Sequence, residues 1–171
     1  MRKLLLVFAT AILALPALAV AGSPPSPADS AAAQKQCRAE LTAMGAAPFK
    51  LLYGNTSNAF GKCVSRRASA NAANRATAAA QCNTERSADA AAFASKYGIG
   101  PQHRNAFVRC VQAKAKALAA AQVTATINAS KQCWAERKAD AAAFQAKYGP
   151  NTNKSNAFGK CVSGKVKHSS S

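Results

Sequence analysis

The sequence predicts an all-α protein in which three disulfide-stapled helical repeat units are joined by long Ala-rich helices. After residue 21 the chain has 38 Ala but only 18 Leu, Ile, Val and Phe in 150 residues, or 12%. A highly charged chain with fewer than about 20% of these apolar residues cannot build a large conventional core. Six cysteines recur within a repeated motif, and the segments between them are rich in Ala, Lys, Arg and Gln, which favour helix.

The N-terminal segment has the layout of a secretory signal peptide. Arg2 and Lys3 precede an apolar run, and Ala19-Val20-Ala21 forms a small-x-small cleavage site. A membrane anchor is the alternative, but the run is short for a span and Pro16 interrupts it. We therefore predict a signal peptide at residues 1–21 and a protein that is secreted or associated with the cell surface. No stable membrane insertion is expected after cleavage.

One motif is written three times after a Pro- and Ser-rich stretch at residues 22–31, which we interpret as a flexible leader. The full motif reads Gln-Cys-x-x-Glu, Asp-Ala-Ala-Ala-Phe, Lys-Tyr-Gly and Asn-Ala-Phe-x-x-Cys-Val, with Cys-to-Cys spacings of 26, 28 and 28. Such self-similarity predicts an array of like units. Repeat unit 1 is predicted at residues 32–66. A spacer helix and repeat unit 2 follow at 67–113, a spacer helix and repeat unit 3 at 114–164, and a basic Ser-rich tail at 165–171.

Helix-breaking and capping residues divide each motif into three pieces. Asp89 and Asp140 suit helix N-caps, and Gly54, Gly98 and Gly149 suit positions just after a helix. Each motif is therefore predicted to contain the end of one long helix, a short reversing helix and the start of the next long helix.

This pattern resembles a type of exported bacterial protein, often actinobacterial, built from Cys…Phe-x-x-Lys-Tyr-Gly…Asn-Ala-Phe-Gly-Lys-Cys-Val units. The resemblance covers residues 34–164 and implies export and a bacterial origin. No function is known for that group, so the resemblance implies no activity, substrate or binding residue.

The predicted helices select the disulfide pairing. Cys63 and Cys82 are 19 residues apart on one predicted helix, and Cys110 and Cys133 are 23 apart on the next. These separations correspond to about 28 Å and 35 Å along a helix axis, whereas bridged cysteines need Cα atoms within about 7 Å. An even number of cysteines in an exported chain favours disulfides over a metal site. The predicted pairs are Cys37–Cys63, Cys82–Cys110 and Cys133–Cys161.

The repeated aromatic and charged residues favour a structural role over a chemical one. Each Phe and Tyr of the short helix are four apart and share a face, which predicts a small core around each disulfide; a stacking platform for bases or sugars is the alternative. Glu40, Glu85 and Glu136 are predicted to pair with the cation that precedes the second Cys: Lys62, Arg109 or Lys160. Neither His belongs to the motif, so no nucleophile–His–acid set is present. We expect no enzyme activity, cofactor, metal site or small-molecule substrate.

The remaining signal is charge. The formal net charge is +17, and it becomes +15 if residues 1–21 are removed. We predict electrostatic association with anionic polymers such as a wall phosphopolymer, an acidic polysaccharide or DNA. The alternative is a structural or protein-interaction scaffold whose charge serves only solubility, and membrane disruption by basic helices is a weaker third hypothesis. The predicted polyanion-binding residues are Arg66, Arg67, Arg75, Lys114, Lys116, Lys131, Arg137 and Lys138.

Overall fold

The structure, a computed structural model, describes residues 24–54, 57–149 and 156–168. Regular secondary structure in these ranges is helical throughout, which confirms the predicted all-α class. The predicted signal peptide and residues 169–171 lie outside the described residues. The described helices are α1 (Pro27–Met44), α2 (Ala46–Tyr53), α3 (Ala59–Ala88), α4 (Ala90–Tyr97), α5 (Ala106–Ala139), α6 (Ala141–Tyr148) and α7 (Ala157–His168).

The short helices begin at the predicted caps. The Asp89 carboxylate accepts a hydrogen bond from the Ala92 amide at 2.9 Å, and Asp140 accepts one from Ala143 at 2.8 Å. Each cap satisfies an amide that has no partner inside its helix. Gly98 follows α4, and a Cβ atom there would lie 2.5 Å from the Cα of His103. Only glycine therefore allows the chain to pass so close to the end of this helix.

Two predicted boundaries differ from the structure. The predicted flexible leader at residues 22–31 overlaps α1, which begins at Pro27 because Ser26 and Asp29 form a capping box and Pro occupies the first helical position. The predicted tail at residues 165–171 overlaps α7, which continues through His168. Lys165 is part of that helix and lies 2.7 Å from a carboxylate oxygen of Glu136.

The four longer helices form an antiparallel bundle because each short helix reverses the chain. α3 packs against α1 and α5, α5 packs against α7, and α1 also contacts α5. Alternate reversals fall at alternate ends of the bundle. We call the end that carries α2 and α6 the paired end, and the end that carries α4 the opposite end.

The three disulfides have the predicted pairing and lie close to these reversals. Cys37–Cys63, Cys82–Cys110 and Cys133–Cys161 join consecutive long helices, and all six sulfur-bearing side chains are fully buried. Three disulfides are typical of an oxidising, extracellular setting. Within the described ranges, none of the helices is apolar enough over a sufficient length to cross a lipid bilayer.

The apolar core is divided unequally between the two ends. At the paired end, residues of α1, α2, α3, α5, α6 and α7 form one cluster that includes Phe49, Phe144 and Phe158. At the opposite end, the buried cluster of described residues consists of Cys82, Phe93 and Cys110, with a few partly buried neighbours. The first and third sequence motifs therefore share one core, while the second has a small core of its own.

Polar side chains join the long helices midway between the two cores. The amides of Gln36 and Asn71 exchange hydrogen bonds of 3.1 and 3.3 Å between α1 and α3. Asn74 and Gln122 exchange bonds of 3.1 and 3.0 Å between α3 and α5. Small Ala side chains let these helices approach closely enough for such bonds to form. The bundle thus compensates for its few large apolar residues with polar contacts.

Candidate functional site: the basic surface and its carboxylates

Each motif glutamate accepts a hydrogen bond from the tyrosine of its own short helix. The Tyr53 hydroxyl donates to Glu40, the Tyr97 hydroxyl donates to Glu85 at 3.2 Å, and the Tyr148 hydroxyl donates to Glu136 at 2.9 Å. The glutamate projects from the long helix that precedes the reversal, three residues after the first Cys. This bond therefore fixes the short helix against the long one.

The cations that pair with these glutamates are not the predicted ones. Glu40 pairs with Arg67, Glu85 with Lys114 at 3.3 Å, and Glu136 with Lys165 at 2.7 Å. Each of these cations lies four residues after the second Cys, one helical turn beyond it, and so faces back toward the glutamate. Lys62, Arg109 and Lys160 come directly before that Cys, and a neighbouring residue points to a different side of the helix. The predicted ion pair is present in each motif, but its predicted cation was wrong.

The short helices of the second and third motifs supply a further cation. Lys96 lies 2.6 Å from Glu85, and Lys147 lies 3.7 Å from Glu136. Both come from the Lys-Tyr-Gly sequence, which the first motif lacks because Leu52 occupies that position. The repetition of this lysine was a visible signal for its role.

The Glu40 cluster differs from the other two because it is buried. Glu40 is 0% exposed and Arg67 is 7% exposed. Burial raises the pKa of Glu40, although Arg67 and Tyr53 favour its ionised form. Burial and the adjacent carboxylate also raise the pKa of Tyr53, so its hydroxyl stays protonated and donates. Arg67 donates a further bond of 2.9 Å to the Thr126 hydroxyl, which links α3 to α5.

The Glu85 and Glu136 clusters are accessible, and in both the pKa of the glutamate is lowered, in contrast to that of Glu40. Hydrogen bonds from Lys96 lower the pKa of Glu85, and hydrogen bonds from Lys165 lower the pKa of Glu136. Both residues therefore favour the folded protein above the ordinary glutamate pKa of about 4.3. This contribution is lost as the pH falls through their lowered pKa values. At Glu40, burial and the pairing with Arg67 act on the pKa in opposite directions.

We expect these two accessible clusters to contribute to the loss of stability in acid, as does Asp29, in which burial is outweighed by hydrogen bonds with Ser26 that lower the pKa. In the double variant Glu85→Gln and Glu136→Gln, the free energy of unfolding should depend less steeply on pH between about pH 6 and about pH 2. Carboxylates ordinarily titrate in this range. Urea unfolding at a series of pH values measures this slope. A control variant, Gln81→Ala, changes an exposed side chain on α3 without removing a carboxylate. An unchanged slope in the double variant would contradict the assignment.

The aromatic residues form cores, which confirms the favoured prediction over a stacking platform. Phe49, Phe93 and Phe144 are 2–3% exposed. Their ring centroids lie 4.9, 5.0 and 4.8 Å from those of the tyrosines four residues later. Trp134 is partly buried against the core of the paired end, with the Arg137 guanidinium 5.6 Å from its ring centroid. The buried phenylalanine rings offer no open face to a base or sugar.

The eight predicted polyanion-binding residues occupy different environments. Arg67 is buried, and its pairing with Glu40 removes it from the outer surface. Arg75 lies 2.5 Å from Asp29, and Lys114 pairs with Glu85. The other five lie at the surface, outside the carboxylate ion pairs: Arg66, Lys116, Lys131, Arg137 and Lys138.

Surface cations are concentrated at the paired end. Among the described residues, nine Lys and Arg outside the carboxylate ion pairs lie on the helices near this end, against three near the opposite end. Those at the opposite end are Arg86, Arg104 and Arg109. Those at the paired end are Lys35, Arg38, Lys50, Lys62, Arg66, Lys131, Arg137, Lys138 and Lys160. The asymmetry follows from the fold, since two of the three reversals share one end.

A cavity of about 290 Å³ opens at the paired end, between α2, α3, α5 and α7. Its lining residues include Arg66, Arg67, Ser163 and Lys167, together with apolar residues of α2 and α7. No acidic residue is among its lining residues in the described part of the chain. A larger groove of about 570 Å³ lies between α1, α3 and α5, and Ala is the most frequent of its lining residues.

The comparisons with known proteins give no relative from which a function can be carried over. No protein-family profile, curated protein sequence or solved structure matches this chain. Its function must therefore be inferred from the charges, contacts and cavities described above.

Proposed function

We propose that this protein is a non-enzymatic, exported protein that associates electrostatically with acidic polymers at or outside the cell surface. The observation that supports this most strongly is that the carboxylates are all engaged in ion pairs or helix caps. All six Asp and Glu residues of the chain lie in the described residues, and each has an internal role. Asp89 and Asp140 cap helices, while Asp29, Glu40, Glu85 and Glu136 form ion pairs.

This use of the carboxylates leaves most of the positive charge without an acidic neighbour. Twenty Lys and Arg side chains lie in the described residues, and six of them are in the ion pairs with carboxylates. A surface rich in uncompensated cations attracts polyanions and releases their condensed counterions on binding. Such binding needs no particular base or sugar sequence, only a high density of negative charge.

A salt titration of binding tests the proposal. The disulfide-bonded protein is titrated with DNA, an acidic polysaccharide, a wall phosphopolymer and a neutral glycan at several salt concentrations. We expect binding to the three anionic polymers and a steep, linear fall in log affinity with log salt. Binding that survives high salt unchanged, or equal binding to the neutral glycan, would overturn the proposal.

Charge reversal at the two ends tests where the polymer binds. Lys131→Glu with Lys138→Glu changes the net charge as much as Arg104→Glu with Arg109→Glu, but the first pair lies at the paired end. We expect the first variant to lose more affinity, because neighbouring cations at that end reinforce each other's attraction. Equal losses would show that only the net charge matters.

A scaffold role is the second candidate, and two exposed apolar residues favour it. Ile99 and Val108 are each 52% exposed at the opposite end. If this end contacts a protein partner, Ile99→Ser with Val108→Ser should abolish partner binding and leave polymer binding unchanged. The two roles are therefore separable by variants at opposite ends of the bundle.

A further inference from the structure

Arg67 has a hydrogen-bonding capacity that its structural role does not use. One of its terminal nitrogens forms the ion pair with Glu40 and donates a hydrogen bond to Thr126. Its Nε–H is buried and has no hydrogen-bond acceptor among the described residues. A buried donor without an acceptor is costly, and most such groups in folded proteins have a partner. Arg67 also lines the 290 Å³ cavity at the paired end.

The other polar groups of this cavity favour a negatively charged acceptor. Arg66 lies at the cavity surface with its guanidinium 5.4 Å from the ring centroid of Tyr53. This cation–π contact holds the charge near the cavity. Ser163 and Lys167 line the facing side on α7. Glu40 is not among the residues that line the cavity.

Only the first motif has this arrangement. Arg66 and Arg67 lie three and four residues after its second Cys. The same two positions hold Ala113 and Lys114 in the second motif, and Gly164 and Lys165 in the third. Lys114 and Lys165 are 30% and 28% exposed and pair with accessible glutamates. The buried guanidinium and the adjacent second arginine are therefore a local departure from the repeated motif. The repeated structural role, which a lysine fulfils elsewhere, does not require them.

We propose that this cavity binds a single phosphate group. Guanidinium groups present several N–H donors in a plane that matches the oxygens of a phosphate, and two arginines with a hydroxyl form a suitable set of donors. The cavity is near the lower limit of about 300 Å³ for small-molecule sites, which suits a small anion. The phosphate is either free or one unit of a phosphodiester polymer. Only this second source rests on the proposed function.

Calorimetric titration of inorganic phosphate into the disulfide-bonded protein tests the site. We expect saturable binding of one phosphate per chain at physiological ionic strength. Arg66→Ala should weaken this binding about tenfold or more, because it removes charge-assisted hydrogen bonds. Arg66 is exposed, so the variant should fold, and circular dichroism verifies this. Arg109→Ala removes an equal charge at the opposite end of the bundle and should leave phosphate binding unchanged.

A second pair of variants distinguishes a specific loss of phosphate binding from a loss caused by unfolding. Ser163→Glu places a carboxylate at the cavity and should abolish phosphate binding. Ser69→Glu adds the same charge at an exposed position of α3 that does not line the cavity and should have little effect. The absence of saturable phosphate binding, or equal affinities for wild type and Arg66→Ala, would overturn the site.

Measuring wall-phosphopolymer binding alongside phosphate binding separates this inference from the proposed function. If phosphate fails to bind but a wall phosphopolymer still binds with a steep salt dependence, the cavity assignment is wrong and the proposed function stands. If phosphate binds and Arg66→Ala removes it, but no polymer binds, the site stands for a free phosphate and the proposed function is wrong.

Discussion

Replacing Glu40 by Gln is expected to lower the free energy of unfolding by about 3 kcal/mol or more. The substitution leaves Arg67 charged, buried and without its carboxylate, and an uncompensated buried charge is among the most destabilising changes in a protein core. The same change also weakens the bond from Tyr53, which anchors α2 to α1. Denaturant unfolding at neutral pH, with the disulfides intact, measures the loss.

The chain itself supplies matched controls for this prediction. Glu85→Gln changes the same motif position in an accessible cluster, where solvent screens the ion pair, and should have a much smaller effect. The double variant Glu40→Leu with Arg67→Met removes both charges and should recover much of the stability lost in Glu40→Gln. Equal effects of Glu40→Gln and Glu85→Gln would contradict the importance of burial.

Removing the Cys82–Cys110 disulfide by two Ala substitutions is expected to open the opposite end of the bundle. The chain-entropy model gives a loss of about 3–4 kcal/mol for a loop of this length. Because the apolar cluster there is small, the loss should appear first as local opening of α4. Hydrogen exchange should show lost protection at α4 while the paired end stays protected.

The corresponding control is removal of the Cys133–Cys161 disulfide. Its sequence separation is also 28, so the chain-entropy model assigns it the same loss. Here α6 and α7 also pack into the larger core, and α7 contacts α2. We expect α6 to keep more protection than α4 does in the first variant. Equal loss of protection would show that the disulfide, and not the core, holds each short helix.

The fold was predictable from the sequence because the relevant signals are local. Asp89 and Asp140 mark helix starts, and the motif cysteines cannot be bridged along a helix of the predicted length. The start of α1 was missed although Ser26, Pro27 and Asp29 are a recognisable capping sequence. Proline in a Pro- and Ser-rich stretch suggested a linker, but at the first helical position it favours a helix.

The candidate site was less predictable because it depends on contacts distant in sequence. The position four residues after the second Cys is cationic in all three motifs, so the cations that pair with the glutamates could have been predicted from the sequence. The burial of Arg67 was not, since it depends on Thr126 and on α7. Nor does the sequence state that the first and third motifs meet at one end. That meeting creates both the dense basic surface and the cavity.

The shared core at the paired end has a consequence for the order of biosynthesis. Phe49 belongs to the same buried cluster as Phe158, although more than a hundred residues separate them in the chain. A growing polypeptide emerges N-terminus first. The first motif can form its disulfide early, but its aromatic residues stay without their final neighbours until α7 has been made. The core at this end is therefore completed only after α7 has been synthesised, and a chain truncated before α7 would expose the apolar surface of its first motif.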